Sequence, residues 1–571
     1  MKKIIRYIAI FWASMLLLTG CLEETFPTSS IVIDQQIAGS DNGIGALSNA
    51  VVASMTARYR DYAMQCGYIS MMVSRDAMLE DVPVYTMSYN YFSAFATTDF
   101  LGDIQLLADI WNFYYDVINN ANLLIHIVSP TEASPIALGN LGNALTYRAM
   151  MYMDLCRMYE FKHTGTSIDD ASLHGLTVPI VTETTTEEEG RNNPRAPFYA
   201  MYRFILTDLN RAESYLENYS RSSKNTADRS VVYGLKARLW LEMGSRFTLY
   251  PADLSEMQAH ASDKELSAYD PLPISSANDC YAKAAEYARK AIDAGGYSPL
   301  TKTEWFDEKN GFNTPNQAWL FAIIVGQNDQ AASLRYWSFP GTMAQTEYGV
   351  FNSRYKAYRM IGKTLYDRIG EGDWRKATWI DPADAGKIPI PEKYKTNGLS
   401  PSEWIKYPAY TGFKFRPGQG DRESYQNGDV VSIPLMRVEE MYFIEAEALA
   451  YTSGISAGIQ KLNDFMNTYR YEDPSYICRA TDITGFTEEL LLQKRTEFWG
   501  EGILMWDYKR LEKQVVRGYT STNFPENCRY NSIPGYVVPW INLYITSMEY
   551  NYNTALVRNP DPSSAVPKWK K

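Results

Sequence analysis

The sequence has few of the residues on which most catalytic and metal-binding chemistry depends. Its 571 residues include only four histidines, and none of them stands in an HExxH pattern. The chain also has no CxxC pair and no glycine-rich phosphate loop of the GxxxxGK[ST] type. Zinc and nucleotide sites commonly carry these patterns, so nothing in the sequence supports either kind of site, and we expect no cofactor.

Long basic runs are absent as well. The formal net charge is −11, from 55 Lys and Arg against 66 Asp and Glu. Because proteins neutralise phosphates with clustered Lys and Arg side chains, this balance argues against a nucleic-acid partner.

Cysteine is rare, and its spacing does not suggest disulfides. One cysteine lies near the N-terminus, and the remaining five have no short spacing and are odd in number: Cys66, Cys156, Cys280, Cys478 and Cys528. We interpret these five as small buried apolar residues rather than as a disulfide framework.

The N-terminus lacks an apolar run long enough for a membrane span. Residues 8–18 are about half of the roughly 20 apolar residues that a spanning helix needs, which favours a signal peptide over residues 1–20. The box Leu18-Thr19-Gly20-Cys21 resembles the lipobox of bacterial lipoproteins, in which cleavage precedes a cysteine that carries the lipid. The alternative is that Cys21 merely follows an ordinary signal peptide.

The residues after Cys21 predict where the mature protein is anchored. The pair Glu23-Glu24 is similar to the export signal of surface lipoproteins in some Gram-negative bacteria, although acidic pairs are common at mature N-termini. Residues 21–40 are polar and suit a lipidated tether. We therefore expect a lipid anchor at Cys21 in the cell outer membrane, with the protein facing the exterior.

Helical periodicity is the main structural signal in the rest of the chain. Apolar residues recur with helical spacing in residues 45–59, 106–128, 138–159, 197–216, 230–243, 281–294, 437–451, 456–469 and 487–499. Residues 295–430 are instead rich in Gly, Pro and aromatics, which predicts long loops and short strands, for example at residues 319–325.

The predicted helices are built to pack on several sides. The segment 230–243 has one apolar stripe and further apolar residues nearly opposite, so it requires neighbours on both faces. Small residues that permit close helix approach occur at Ala284, Ala288 and Ala291. This spacing resembles tetratricopeptide repeats without their full consensus.

The fold class that these patterns predict is mostly α. We expect a tetratricopeptide-like helix-pair scaffold over residues 41–294, a loop-rich aromatic insertion over 295–430 that binds the ligand, and a C-terminal helical part with an irregular tail over 431–571.

Several sequence blocks follow one another in a fixed order along the chain. The first is a W-x3-Y-x2-I-x2-A-N helix, formed by Trp111, Tyr115, Ile118, Ala121 and Asn122. Further polar landmarks are Arg148, Asp208, Asp373, Arg375, Arg437, Glu439, Glu447, Arg495, Glu497, Glu501, Asp507 and Arg510. In their order and spacing these blocks resemble the SusD/RagB family. The chain departs from the family pattern at Leu504, where arginine is usual, and at Gln493-Lys494, where Glu-Arg is usual, which puts local ion pairs in question.

The resemblance covers nearly the whole mature chain, and it implies a SusD-like function. Such proteins are surface lipoproteins that cap a TonB-dependent, SusC-like outer-membrane transporter and capture oligosaccharide, or in some members peptide, without catalysis. We therefore expect a glycan-binding protein that delivers ligand to such a transporter. The alternatives are a peptide-binding member and a structural transporter cap without its own ligand site.

Sugar recognition requires aromatic faces together with planar hydrogen-bonding groups. Two aromatic segments outside the predicted helices meet this need, residues 84–95 and residues 334–351, and they lie in the regions from which the resembling family takes its ligand contacts. The predicted ligand-binding residues are Tyr89, Tyr91, Phe92, Tyr336 and Trp337, with Arg75 and Asp76 as a polar edge. These rings could instead pack under loops, and Arg75 and Asp76 could form a structural ion pair.

One formal motif for hydrolysis is present. Residues 454–458 satisfy the G-x-S-x-G pattern, but a predicted helix precedes them where a strand is required, and all histidines lie upstream of Ser456. We interpret Gly454 as a helix C-terminal glycine and Ser456 as the N-cap of the next helix. A carboxylate pair for glycoside hydrolysis stays open, because its two acids need only be about 5–10 Å apart in space.

Overall fold

Helices dominate the computed structural model, which describes residues 37, 39–57, 67–86, 92–99, 101–329, 339–343, 358–531, 533–567 and 569. In the first half these helices are α1 (Asp41–Ser54), α2 (Gly67–Met78), α3 (Ser93–Thr97), α4 (Gln105–Ile127), α5 (Pro135–Tyr159), α6 (Glu187–Gly190), α7 (Phe198–Tyr215), α8 (Arg229–Leu249), α9 (Pro251–Ala259) and α10 (Ala277–Asp293). The mostly α fold class is confirmed.

The second half begins with short elements and returns to longer helices. Its helices are α11 (Lys302–Trp305), α12 (Phe339–Met343), α13 (Lys363–Arg368), α14 (Pro401–Trp404), α15 (Tyr425–Gly428), α16 (Val438–Thr452), α17 (Ile455–Tyr469), α18 (Ile483–Glu497), α19 (Leu504–Arg510) and α20 (Ser547–Tyr550). The described residues also contain two strands, β1 (Trp319–Ile323) and β2 (Ile433–Arg437).

Helix α8 lies at the centre of the scaffold. The Asp228 side chain caps its N-terminus by accepting from the backbone N–H groups of Ser230 and Val231. Every residue from 230 to 247 is buried, and α8 packs against α7, α10 and α16. The sequence-based expectation of a helix enclosed on several sides is therefore confirmed.

Small residues bring α10 close to its neighbours. Ala284, Ala288 and Ala291 are completely buried where α10 packs against α8 and α16. On α8, Gly244 faces the ring of Tyr281, which a Cβ atom at that position would meet at 2.9 Å. Tyr281 in turn stacks on Tyr451 of α16 with ring centroids 4.0 Å apart. The three helices therefore form one tightly packed layer.

The polar landmarks of the family pattern hold the helices together. Arg148 on α5 donates to both carboxylate oxygens of Asp208 on α7, at 2.7 and 2.8 Å, and to the side-chain oxygen of Asn122 on α4, at 2.7 Å. All three residues are buried. Because buried charges are costly unless they are paired, these residues fix the relative positions of three helices.

A second buried network joins the loop-rich part to the C-terminal helices. The Glu497 carboxylate on α18 accepts from Arg375, Arg437 and Arg470 at 2.7 to 3.1 Å. Burial alone would raise the pKa of Glu497, but the three guanidinium groups lower it well below its usual value. Since Arg437 ends β2, which pairs antiparallel with β1, this network also anchors the small sheet.

The departures from the family pattern do not leave charges without partners. Lys494 forms an ion pair with Asp507 at 2.5 Å, and the Gln493 side-chain oxygen accepts from Arg375 at 2.7 Å. Leu504 is 1% exposed and belongs to the hydrophobic core. The polar interactions at positions 493 and 494 are therefore satisfied by these substituted residues.

Two local predictions need correction. Ser456 is not an N-cap, because α17 already begins at Ile455 and Gly454, with a φ of +92°, occupies the cap position. The predicted helix 437–451 begins one residue later, because Arg437 still belongs to β2. A helix, α16, precedes residues 454–458, so the G-x-S-x-G pattern lacks its strand-turn-helix setting.

The prediction that the cysteines are buried and form no disulfides is confirmed where the structure describes them. The cysteines at positions 156, 280, 478 and 528 are free and buried, and Cys66 lies outside the described residues. Trp111, Trp240, Trp499 and Trp506 are each at most 5% exposed. Within the described ranges, no helix has the length and apolar character needed to cross a membrane.

Candidate functional site

The described parts of the two predicted aromatic segments both contact residues 358–360. Val84 forms an isolated antiparallel bridge with Arg359, and the backbone N–H of Tyr85 donates to the Tyr358 carbonyl at 3.0 Å. The Arg359 side chain donates to the carbonyl of Thr342, which belongs to the second segment, at 3.4 Å. A short extended stretch at 358–360 therefore connects the start of one segment to the other.

Tyr85 presents an aromatic ring at this junction. Its side chain is 52% exposed, and its ring lies 6.1 Å from that of Tyr358 at an angle of 37°. Tyr358 is buried and contacts Tyr407 edge-on at 5.6 Å. Because the inner rings and the backbone bridge fix its position, Tyr85 offers a preformed aromatic surface to a ligand.

Phe92 lies on the inner side of the same region. It is 2% exposed, and the Arg359 guanidinium lies 6.0 Å from its ring centroid. Burial lowers the pKa of Arg359 to about 10, although the neighbouring Asp76 carboxylate acts in the opposite direction. In this structure Phe92 packs beneath the site.

Arg75 and Asp76 are also buried, and both hold the backbone of Gly502. The Arg75 Nε donates to the Gly502 carbonyl at 2.7 Å, and the Gly502 N–H donates to Asp76 Oδ2 at 2.9 Å. The carboxylate that pairs with Arg75 is Asp154, at 3.5 Å. Gly502 has a φ of +69°, a backbone conformation that favours glycine, so this clamp fixes a turn before α19.

The electrostatics of this clamp are unusual because both side chains are buried. Burial raises the pKa of Asp76 to about 7, against the lowering effect of the Gly502 hydrogen bond and of Arg75. Arg75 also lies over the rings of Tyr68, at 4.9 Å, and Trp506, at 4.6 Å. Both side chains are at most 2% exposed, and the backbone of Gly502 is the contact that they share.

The remaining predicted site residues lie outside the described residues. They are Cys21, Tyr89, Tyr91, Tyr336 and Trp337. Sequence reasoning did not select Tyr358 and Arg359, which join the two segments. No periodic pattern marks them, and their pairing with residues 83–85 spans more than 270 residues of chain.

The described residues contain no group of three His, Cys, Asp or Glu side chains arranged to hold a metal ion. What the geometry offers instead is an exposed ring on a fixed backbone. This arrangement suits binding through ring stacking and hydrogen bonds.

Two family models match the chain in succession. Residues 44–241 match a SusD-like family described as "Starch-binding associating with outer membrane", and residues 335–560 match the SusD family. Together they span well over half of the sequence. The chain belongs to the SusD/RagB family. Proteins of this family bind glycans rather than act as enzymes, and they are associated with the outer membrane.

Solved SusD structures have the same fold. A SusD-like carbohydrate binding protein from Bacteroides vulgatus is 22% identical, with a TM-score of 0.64 over 90% of this chain and 97% of its own. A SusD superfamily protein from Bacteroides thetaiotaomicron is 18% identical, with a TM-score of 0.63 over 91% and 100%. A laminarin binding SusD-like protein is 16% identical, with a TM-score of 0.58 over 91% and 99%. No curated protein sequence matches this SusD-family chain significantly.

Proposed function

We propose that this protein is a lipid-anchored, cell-surface SusD protein that captures oligosaccharide and delivers it to a partner TonB-dependent, SusC-like transporter. The observation that carries the proposal is the junction of the two aromatic segments, where Tyr85 is exposed on a buried tyrosine. Membership of a glycan-binding family supports the same ligand class.

The binding mechanism is stacking on a rigid surface. An apolar face of a pyranose ring rests on an aromatic side chain, while neighbouring polar groups bond its hydroxyls. Tyr358 and the bridge at Val84 hold Tyr85 in place before the ligand arrives. Since Tyr85 is already held in place, its contact with the ligand costs less conformational entropy than ordering a mobile loop would.

The predicted residues Tyr89, Tyr91, Tyr336 and Trp337 belong to the same two segments, and we assign them to the same site. Phe92, Arg75 and Asp76 have a supporting role in this proposal. Phe92 packs beneath the junction, and the other two hold the Gly502 turn.

Calorimetry against a panel of soluble glycans tests this function. We expect Tyr85→Ala and Trp337→Ala each to weaken binding about tenfold or more while the melting temperature stays nearly constant, because each removes a stacking face. Tyr85→Phe is the matched control, since it keeps the ring and removes only the hydroxyl. Peptide binding by a protein that binds none of the glycans would overturn the proposal.

The lipid anchor is a separate part of the proposal, and it has its own test. If Cys21 carries lipid, Cys21→Ser should abolish incorporation of labelled fatty acid and move the protein from the outer-membrane fraction to the soluble fraction. Unchanged labelling and fractionation of the variant would contradict the assignment.

A further inference from the structure

Exposed apolar side chains are concentrated in a short part of the C-terminal tail. Four of them lie within ten residues and expose 43% to 70% of their surface: Met548, Tyr550, Tyr552 and Val557. Beside them is an open groove of about 560 Å³, which is within the usual range for ligand sites. No residue that lines this groove belongs to the two aromatic segments described above.

The tail that forms the groove is fixed to the scaffold. Asn553 is buried and exchanges hydrogen bonds with the Asn193 backbone, at 3.1 and 2.7 Å. Asn559 is buried and donates to the carbonyls of Tyr159 and Leu543, at 2.7 and 2.8 Å. These side-chain bonds to backbone groups of Asn193, Tyr159 and Leu543 hold the tail in place, so the groove is preformed.

Arg558 is held across the groove by two tyrosines. Its guanidinium lies over the ring of Tyr550, at 4.4 Å, and over that of Tyr544, at 5.4 Å, and it donates to the Tyr544 hydroxyl at 2.7 Å. A guanidinium has five N–H donors. Among the residues that the structure describes, Tyr544 takes one of these donors and no carboxylate forms an ion pair with Arg558.

The groove also contains an acceptor. Asp561 lines it, is exposed, and accepts from the Ser563 backbone N–H at 2.8 Å. A second carboxylate, Asp103, accepts from the Ser547 N–H at 2.9 Å, and Arg558 contributes to lowering its pKa. Hydroxyl groups can both donate and accept hydrogen bonds, so the Arg558 donor and the Asp561 acceptor together complement them. The two carboxylates disfavour an anionic ligand.

We propose that this groove is a second saccharide-binding site for a neutral oligosaccharide, with the exposed ring of Tyr550 as the stacking surface and Arg558 as the hydroxyl-binding donor. This inference rests on the proposed glycan-binding function, but it concerns a different surface. A protein with two such sites would hold a long glycan at two points, which raises the overall affinity through effective concentration.

The test is the stoichiometry of binding, measured by calorimetry on the full chain with maltoheptaose and with laminarihexaose. We expect two sites for the probe that binds. Tyr550→Ala should reduce the number to one, whereas Tyr550→Phe should keep two. Tyr552→Ala is the matched control, because Tyr552 is more exposed but does not line the groove. Arg558→Lys should weaken the tail site about tenfold or more, since an ammonium cannot reproduce the stacked fork.

The outcomes separate the two proposals. The wild type could instead bind at one site only, with Tyr85→Ala abolishing the binding and Tyr550→Ala leaving it unchanged. That result would overturn the tail site and support the proposed function. No binding of either probe would count against both. If stoichiometry is unchanged but Tyr550→Ala and Tyr552→Ala both abolish co-purification with a TonB-dependent transporter, the surface is a protein contact and the saccharide inference is wrong.

Discussion

The described part of the loop-rich region at 295–430 and the C-terminal tail at 536–561 both contain aromatic residues, but the two regions differ in how far some of these rings are exposed. Trp305 in the first region is 2% exposed, and its indole N–H donates to Thr378 at 3.0 Å. Tyr550 and Tyr552 in the tail are 43% and 70% exposed. The described residues of both regions have little regular secondary structure, so the two regions differ in the other contacts that hold them.

In the described part of the loop-rich region, contacts among aromatic rings and buried charged side chains take the place of regular backbone hydrogen bonds. Trp305 contacts Phe312 and Trp374 edge-on, and the charged ends of Lys414 and Arg470 lie over its ring. In the tail, the buried side chains of Asn553 and Asn559 bond backbone groups of the scaffold, and the rings of Tyr550 and Tyr552 lie at the surface. Among the described residues, Trp305 therefore stabilises the fold of the first region, whereas Tyr550 and Tyr552 in the tail are available for recognition.

The largest expected effect on stability is that of Glu497→Ala, which tests the buried ion pairs of the loop-rich region. The change leaves Arg375, Arg437 and Arg470 without the carboxylate that they share. Each arginine keeps another carboxylate partner, but three buried guanidinium groups lose one, so we expect the free energy of unfolding to fall by about 5 kcal/mol, measured by urea denaturation. Glu497→Gln, which keeps the shape, should also be strongly destabilised. A loss below about 1 kcal/mol would show that the network does not hold the region together.

Removing the ring at the centre of the loop-rich region should have the next largest effect. Trp305→Ala empties a completely packed position, so we expect a loss of about 3–5 kcal/mol in the free energy of unfolding. Trp305→Phe should lose less, since it keeps much of the volume while removing the hydrogen bond to Thr378. If both substitutions cost as little as a surface change, aromatic packing would not distinguish the two regions.

Buried charge also gives the protein a specific pH dependence. The pKa of Asp76 is about 7 in the folded protein and about 4 when unfolded, so the folded state binds more protons between these values. The contribution of Asp76 to stability is therefore present below about pH 4 and is lost as the pH rises towards 7. Across that window, we expect Asp76→Asn to gain stability relative to the wild type, on the order of 1–3 kcal/mol.

Chemical denaturation at intervals from pH 4 to pH 7 measures this difference. A constant difference between Asp76→Asn and the wild type would show that the carboxyl is not the titrating group. Glycan binding by the same variant is informative as well. Because Asp76 is buried and acts on Gly502, we expect its affinity for the ligand to change little.

Sequence patterns were sufficient for much of the scaffold. Helical periodicity predicts the enclosed helix α8 and the small-residue face of α10, because each signal is local and repeats along one helix. The loop-rich character of residues 295–430 follows from their Gly, Pro and aromatic content. Their interior does not, because Trp305 meets Arg470 and Lys414 through contacts that span more than 100 residues.

The candidate site shows the same limit. Aromatic density selected two segments whose described parts both contact residues 358–360, but it could not show that Phe92 is buried and Tyr85 exposed. Arg75 and Asp76 are adjacent in sequence and were expected to form a polar edge. Both instead form hydrogen bonds with the backbone of Gly502, which lies more than 420 residues away. The tail groove has no periodic signal, and only the structure distinguishes its exposed rings from core tyrosines.

The smallest effect on stability is expected for the exposed tyrosines of the tail, and their substitution tests directly whether these rings support the fold. Tyr550→Ala and Tyr552→Ala remove rings that contribute little to the core, so each should change the free energy of unfolding by no more than about 0.5 kcal/mol. Urea denaturation of both variants beside Trp305→Ala measures the contrast on one scale. A loss above about 2 kcal/mol for Tyr550→Ala would mean that its contact with Arg558 holds the tail in place. The tail would then use its aromatic residues as the loop-rich region does, and any loss of saccharide binding would follow from a disordered groove rather than from a missing surface.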